Sequence, residues 1–87
     1  MITAVFVEFL GTLLLIGAVA FSHNPLLIVA ALATAITFGG KISGGHFNPA
    51  ITAYSFMVGK TSQSRALSYA GAQLSAALVI GLLSKVI

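Results

Sequence analysis

Three long apolar stretches constrain the fold more than any other feature of this sequence. They cover residues 2–21, 25 to about 40 and 63–87. A helix of about 20 apolar residues crosses the hydrocarbon core of a bilayer, which is about 30 Å thick. Only 6% of the 87 residues are charged, against about 25% in soluble domains. The sequence therefore predicts an all-α membrane protein, built as one unit with three transmembrane helices and located in the bilayer.

The remaining composition argues against several classes of function. No run of basic residues is present, so we expect no nucleic-acid partner. The chain has no cysteine, and His23 and His46 have no carboxylate or cysteine nearby in sequence. This is a poor ligand set, so we expect no metal and no cofactor. With neither paired carboxylates nor a nucleophile beside a base, we expect no catalytic residue and no enzymatic activity.

The first apolar stretch also has one feature of a signal peptide. Its end contains small residues at positions 18 and 20, a spacing typical of a signal cleavage site. However, no Lys or Arg precedes the stretch, and Glu8 interrupts it. We therefore expect this stretch to remain as a transmembrane helix.

Residues 43–48 form a polar, glycine-rich loop between apolar segments. Non-helical backbone survives at membrane depth only where protein buries it or where it lines a water-filled cavity. Gly44 and Gly45 permit backbone conformations that other residues avoid. Asn48 is of a type preferred at a helix N-cap, and proline suits the first helical position that follows. The sequence therefore predicts a loop that lines a cavity and leads directly into a helix.

The helix after this loop is predicted over residues 49–58, with Gly59 as its stop. It is too short to cross a bilayer. If it dips into the membrane and returns, Lys41, Lys60 and Arg65 all lie on one side, opposite Lys85. An excess of basic residues marks the cytoplasmic side. The sequence thus predicts a re-entrant half-helix, with its positive N-terminal end buried and the N-terminus of the chain in the cytoplasm.

The segment "SGGHFNPAIT", residues 43–52, resembles the first signature loop of the major intrinsic proteins, the aquaporins and glycerol facilitators. "VEFLGTLLLIG" is similar to the first helix of that family, and "SRALSYAGAQLSAAL" is similar to the third. The resemblance implies half of an aquaporin-like fold, a single repeat of the first type. It also implies passive conduction of water or small neutral solutes.

The resemblance implies particular roles for the loop. Asn48 would cap the half-helix and turn its amide N–H toward the lumen, while backbone carbonyls of the loop accept hydrogen bonds from the passing solute. The positive helix end would raise the barrier for protons and cations. The implied pore-lining and signature residues are Gly44, Gly45, His46, Asn48, Pro49 and Ala50.

Glu8 is the only acidic residue and lies within the first predicted helix. Charge inside a membrane is costly and normally has a partner. By resemblance, Glu8 and Gln73 match buried polar positions that brace the loop, and Tyr69 lies one helical turn from Gln73. The alternative is that Glu8 is an interfacial residue. It lies about 10 Å along the helix at 1.5 Å per residue, which favours the brace.

Two isoleucines are candidates for the selectivity filter. In the second repeat of the family an arginine usually follows the signature triplet, but here Ile51 follows it. Ile28 occupies the second-helix position that commonly lines the constriction, where water-selective members usually carry an aromatic residue. The resemblance therefore implies a wider and more apolar filter than that of a strict water channel, and leaves the choice between water and glycerol open.

One repeat needs a partner to enclose the family's pore. The simplest is a homo-oligomer, an inverted dimer of this chain, although the basic residues favour a single orientation. The other is a separately encoded second half. Alternatives to a channel are a non-conducting membrane interaction protein, a truncated channel fragment and a holin-like lytic pore, the last supported only by size and helix count.

Overall fold

The computed structural model describes all 87 residues, and the chain is helical almost throughout, with no strand. Its four helices are α1 (Ile2–Phe21), α2 (Pro25–Ser43), α3 (Pro49–Met57) and α4 (Gln63–Val86). Helix α1 packs against both α2 and α4, and α3 packs against α4. The three long helices are long and apolar enough to cross a membrane. The all-α membrane fold predicted from the sequence is thereby confirmed.

Most of the buried side chains of the bundle are small or polar, and most of its large apolar side chains are exposed. Ala31, Ala35 and Ala76 are buried where the helices meet, and small residues of this kind let helix backbones approach closely in lipid. Large side chains such as Phe38 and Leu67 point outward. A bilayer is the medium that suits such a surface, so the chain is an integral membrane protein.

Local sequence sets the start of three helices. The Asn24 side chain accepts hydrogen bonds from the Leu26 and Leu27 N–H groups at the start of α2, and Asn48 caps α3 in the same manner. Ser62 accepts from an N–H group in the first turn of α4. Each cap satisfies backbone donors that have no partner within the helix.

Helix ends differ slightly from those predicted. Helix α2 continues to Ser43 rather than ending near residue 40, because Gly44 adopts a left-handed φ of 94° and its N–H bonds to the Gly40 carbonyl at 2.8 Å. The loop therefore spans residues 44–48. Helix α3 ends at Met57 and not at residue 58, two residues before a glycine with positive φ, and α4 ends at residue 86 and not at residue 87.

Helix α3 returns the chain to the end of the bundle at which α2 finishes. Lys41 in the last turn of α2, Lys60 after α3 and Arg65 at the start of α4 all line one cavity. Nine helical residues extend only about 14 Å, roughly half of a bilayer core. The chain thus enters and leaves the loop region at the same end.

Candidate functional site

The Glu8 carboxylate lies at the centre of the site, fully buried, and accepts four hydrogen bonds. One oxygen accepts from the Ser43 hydroxyl at 2.6 Å and from the His46 N–H at 3.1 Å. The other accepts from the Phe47 N–H at 2.7 Å and from the Gln73 side-chain amide at 2.9 Å. A carboxylate suits this place because it only accepts and has room for four donors. It therefore fixes loop backbone that no helix satisfies.

Gln73 carries the network from α1 to α3. Its amide nitrogen donates to Glu8 and to the Thr52 hydroxyl, the latter at 2.9 Å, which uses both of its protons. The Thr52 hydroxyl also lies 2.9 Å from Nδ1 of His46. Since Thr52 is on α3, this chain of bonds couples the half-helix to the loop that precedes it and to α4 behind it.

Tyr69 ties the end of α2 to α4. Its side chain is fully buried, and its hydroxyl donates to the Ser43 carbonyl at 2.5 Å. The same hydroxyl accepts from the Arg65 guanidinium at 3.0 Å. The His46 ring meets the Tyr69 ring edge-on, with centroids 5.1 Å apart. The last turn of α2 is therefore held by Tyr69 on α4 as well as by Glu8 on α1.

Phe47 anchors the loop between α1 and α2. It has a positive φ of 52°, uncommon for a residue with a side chain, and only 1% of its surface is exposed. A Cβ atom on Gly11 would lie 2.1 Å from the Phe47 ring, and one on Gly39 would lie 3.2 Å from it. The two glycines therefore create the space that the ring occupies.

Asn48 presents a free donor on the exposed side of the loop. Its Oδ1 accepts from the Ala50 N–H at 2.8 Å, whereas its Nδ2 bonds to no protein atom and its side chain is exposed. The carbonyls of Gly44, Gly45 and His46 accept no hydrogen bond from the protein. The loop thus has a braced side, toward Glu8, and a side whose donor and acceptors are unused.

The two filter candidates lie in different places relative to this loop: Ile51 is in the first turn of α3, directly after it, and Ile28 is at the far end of α2. Ile51 is on α3, with 49% of its surface exposed, and Pro49, two residues before it, is partly buried. Ile28 is in the first turn of α2, and the sixteen residues that separate it from Gly44 correspond to about 24 Å of helix. The structure therefore does not bring Ile28 to the loop.

Several residues of the network were not assigned roles from the sequence. Ser43, Phe47 and Thr52 all contact the brace. The sequence places Tyr69 near Gln73 but predicts neither of its hydrogen-bond partners. One signal was available for Thr52, which lies one helical turn after Asn48 and so on a similar face of α3. No sequence signal pairs Phe47 with Gly11, because the two meet only when α1 and α2 pack.

Comparison with known proteins gives consistent matches. The sequence profile of the family described as major intrinsic protein matches residues 1–87. Aquaporin TIP1-2 of Zea mays is 37% identical over an alignment of 98 residues. This alignment covers 91% of this chain and 39% of that protein. Aquaporin-5 of Homo sapiens is 38% identical over 87 residues, covering 86% of this chain and 33% of that protein.

The lens fiber major intrinsic protein of Oryctolagus cuniculus is 36% identical over 88 residues, again covering 86% of this chain and 33% of that protein. The chain thus spans well under half the length of the curated relatives it matches. No solved structure matches it significantly.

Proposed function

Because the chain belongs to the major intrinsic protein family, we propose that it is a subunit of a passive transmembrane channel for water or small neutral solutes. The loop supports this proposal through its two unlike sides. One side is bound to Glu8, and the other offers one amide donor and three carbonyl acceptors. A neutral solute that loses water on entering a bilayer needs such partners.

The observation that carries the proposal is the orientation of the Asn48 side chain. Its oxygen is held by the Ala50 N–H at the start of α3, so its amide N–H groups point away from the helix. They can donate to a solute oxygen, while the loop carbonyls accept from the same molecule. The positive end of α3 lies beside them and opposes the passage of cations and protons.

We further propose that the pore forms when this half-channel pairs with an inverted second half, either another copy of the chain or a separate chain. Helix α3 reaches only about 14 Å, so a second half-helix is needed to complete a path across the bilayer. Ile51, Tyr54 and Met57 on α3 are exposed and available for such contact. In this arrangement the N-terminus and the cluster of Lys41 and Lys60 lie on the cytoplasmic side.

The test is water flux into liposomes that contain only this protein, followed by stopped-flow light scattering. We expect Asn48→Asp to lose the flux, because aspartate keeps the capping oxygen and replaces the donor with a negative charge. The matched control is Asn24→Asp, which changes the N-cap of α2 in the same way, and it should conduct as the wild type does.

Unchanged flux in Asn48→Asp, at equal amounts of inserted protein, would contradict the role given to Asn48. Flux from the wild-type protein alone would support self-pairing. If the protein is folded and inserted but conducts nothing alone, two explanations remain: the second half comes from another chain, or this chain is a non-conducting interaction protein. Co-reconstitution with a candidate partner separates the two. Glycerol flux on the same vesicles then tests whether Ile28 and Ile51 belong to a wide, apolar filter.

A further inference from the structure

We propose that the polar cavity at the end of the bundle where α2 finishes binds a phosphate group. The cavity has a volume of about 610 Å³, and one of its 11 lining residues is hydrophobic. Three of the four basic residues of the chain line it: Lys41, Lys60 and Arg65. Lys41 lies 19 residues before Lys60 in the sequence, and the return of the chain through α3 brings it to the same cavity as Lys60 and Arg65.

The positive charge of this cavity has no counterpart within the protein. Glu8 is the only acidic residue, and its buried carboxylate accepts from Ser43, Gln73 and the loop backbone rather than from a basic side chain. Like charges around one cavity repel each other. An anion that enters the cavity relieves this repulsion.

The donors of the cavity are also partly preorganised. Arg65 is partly buried, and Nη1 of its guanidinium is fixed on the Tyr69 hydroxyl at 3.0 Å, which leaves other N–H groups free for an oxyanion. Ser62, the N-cap of α4, lines the same cavity, so the positive end of that helix adds to the field. The backbone N–H groups of Gln63 and Ser64 donate to no protein acceptor.

These features match a tetrahedral phosphate that carries more than one negative charge. Lysine and arginine donors with a helix N-terminus are the usual partners of such a group. The cavity lies in the size range of small-molecule sites, about 300–1,000 Å³, and so has room for an organic group attached to the phosphate. The phosphate can come from an anionic lipid headgroup at the membrane surface or from a soluble phosphate.

The experiment measures binding to the full chain in nanodiscs, using native mass spectrometry. The lipid probe is phosphatidic acid, whose headgroup is a phosphate monoester, in a background of neutral phosphatidylcholine, and the soluble probe is inorganic phosphate. The variants are Lys41→Gln and Lys60→Gln, both at exposed positions. The matched control is Lys85→Gln, which removes the same charge in the last turn of α4.

We expect each of the two cavity substitutions to weaken phosphatidic acid binding about fivefold, the double substitution to multiply these losses, and Lys85→Gln to bind as the wild type does. Displacement by inorganic phosphate would assign the site to soluble phosphates, and binding of phosphatidic acid without such displacement would assign it to a lipid headgroup. Equal binding by the wild type and by the double variant Lys41→Gln, Lys60→Gln would overturn the proposal. It would also be overturned if the wild type bound neither probe.

The assay does not depend on conduction. If the protein binds phosphate and conducts no water, the phosphate-site proposal stands and the channel proposal fails. If it conducts water and binds neither probe, the channel proposal stands and the phosphate-site proposal fails. The two proposals therefore fail separately.

Discussion

Two Asn-Pro dipeptides begin helices in this chain, at residues 24–25 and 48–49, and locally they are nearly identical. In each, the asparagine oxygen accepts an N–H group of the first helical turn. In each, the preceding residue has positive φ, 56° at His23 and 52° at Phe47. The same short sequence thus gives the same helix start twice.

The two sites differ in what surrounds them. His23 is exposed, and the Asn24 N–H bonds only to the neighbouring Ser22 hydroxyl, at 3.2 Å. Phe47 is buried, and its N–H donates to Glu8 on another helix. The first dipeptide is a turn between two spans. The second is a candidate functional site because distant side chains hold its backbone inside the bundle.

The largest expected effect comes from removing the brace with Glu8→Gln. An amide has one acceptor oxygen and brings an NH₂ group toward donors, so at least two buried donors lose their partner. We expect the free energy of unfolding to fall by roughly 3 kcal/mol or more, at about 1–3 kcal/mol for each unsatisfied donor. Denaturant titration in detergent micelles, followed by circular dichroism, measures it.

The control for this variant is Ser22→Ala, which removes the side-chain bond at the other Asn-Pro site. The bond to the Asn24 N–H is exposed, and the other bond of this hydroxyl, to the Ala18 carbonyl, is only partly buried, so we expect the free energy of unfolding to change by less than about 0.5 kcal/mol. Equal losses in the two variants would mean that the tertiary brace does not distinguish the sites.

A smaller loss of stability is expected from Gly11→Ala, because the added methyl group would occupy space that the Phe47 ring fills. The new methyl would lie 2.1 Å from the ring, so the ring or α1 must move, at a cost of about 2 kcal/mol. Gly71→Ala is the matched control, since no atom lies within 4 Å of its added Cβ. Thermal unfolding of both variants measures the loss. The control should be as stable as the wild type or slightly more stable. A Gly11→Ala protein of wild-type stability would contradict the packing argument.

The smallest effect on stability comes from the caps themselves. Asn24→Ala and Asn48→Ala each remove one N-cap, and each should lower the free energy of unfolding by about 1 kcal/mol. Under the proposed function only Asn48→Ala also lowers water flux, because only that side chain faces the solute path. A loss of flux in both variants would show that flux follows stability and not the donor of Asn48.

Much of the architecture could be predicted from the sequence. Apolar stretches of membrane length gave the three spanning helices, and the Asn-Pro pairs marked the starts of α2 and α3. The end of α2 was missed, because the helix continues until Gly44 turns left-handed, and the predicted stop fell before the polar Ser43. The acidic residue at position 8 predicts a buried polar contact, because charge inside a span needs a partner.

Other parts of the site depend on contacts between residues that are distant in sequence. Phe47 fits only where Gly11 and Gly39 face each other, and the basic cavity exists only because α3 returns the chain beside the end of α2. Neither leaves a periodic signal along the chain.

The sequence by itself determined the medium, the helices and their starts, because hydrophobic length, capping and proline chemistry act over a few neighbouring residues. The resemblance pointed to the second of the two similar Asn-Pro turns, and only the tertiary structure decided which contacts hold that turn inside the bundle. Buried donors need acceptors, and at the second turn the loop backbone donors are satisfied by Glu8 from another helix.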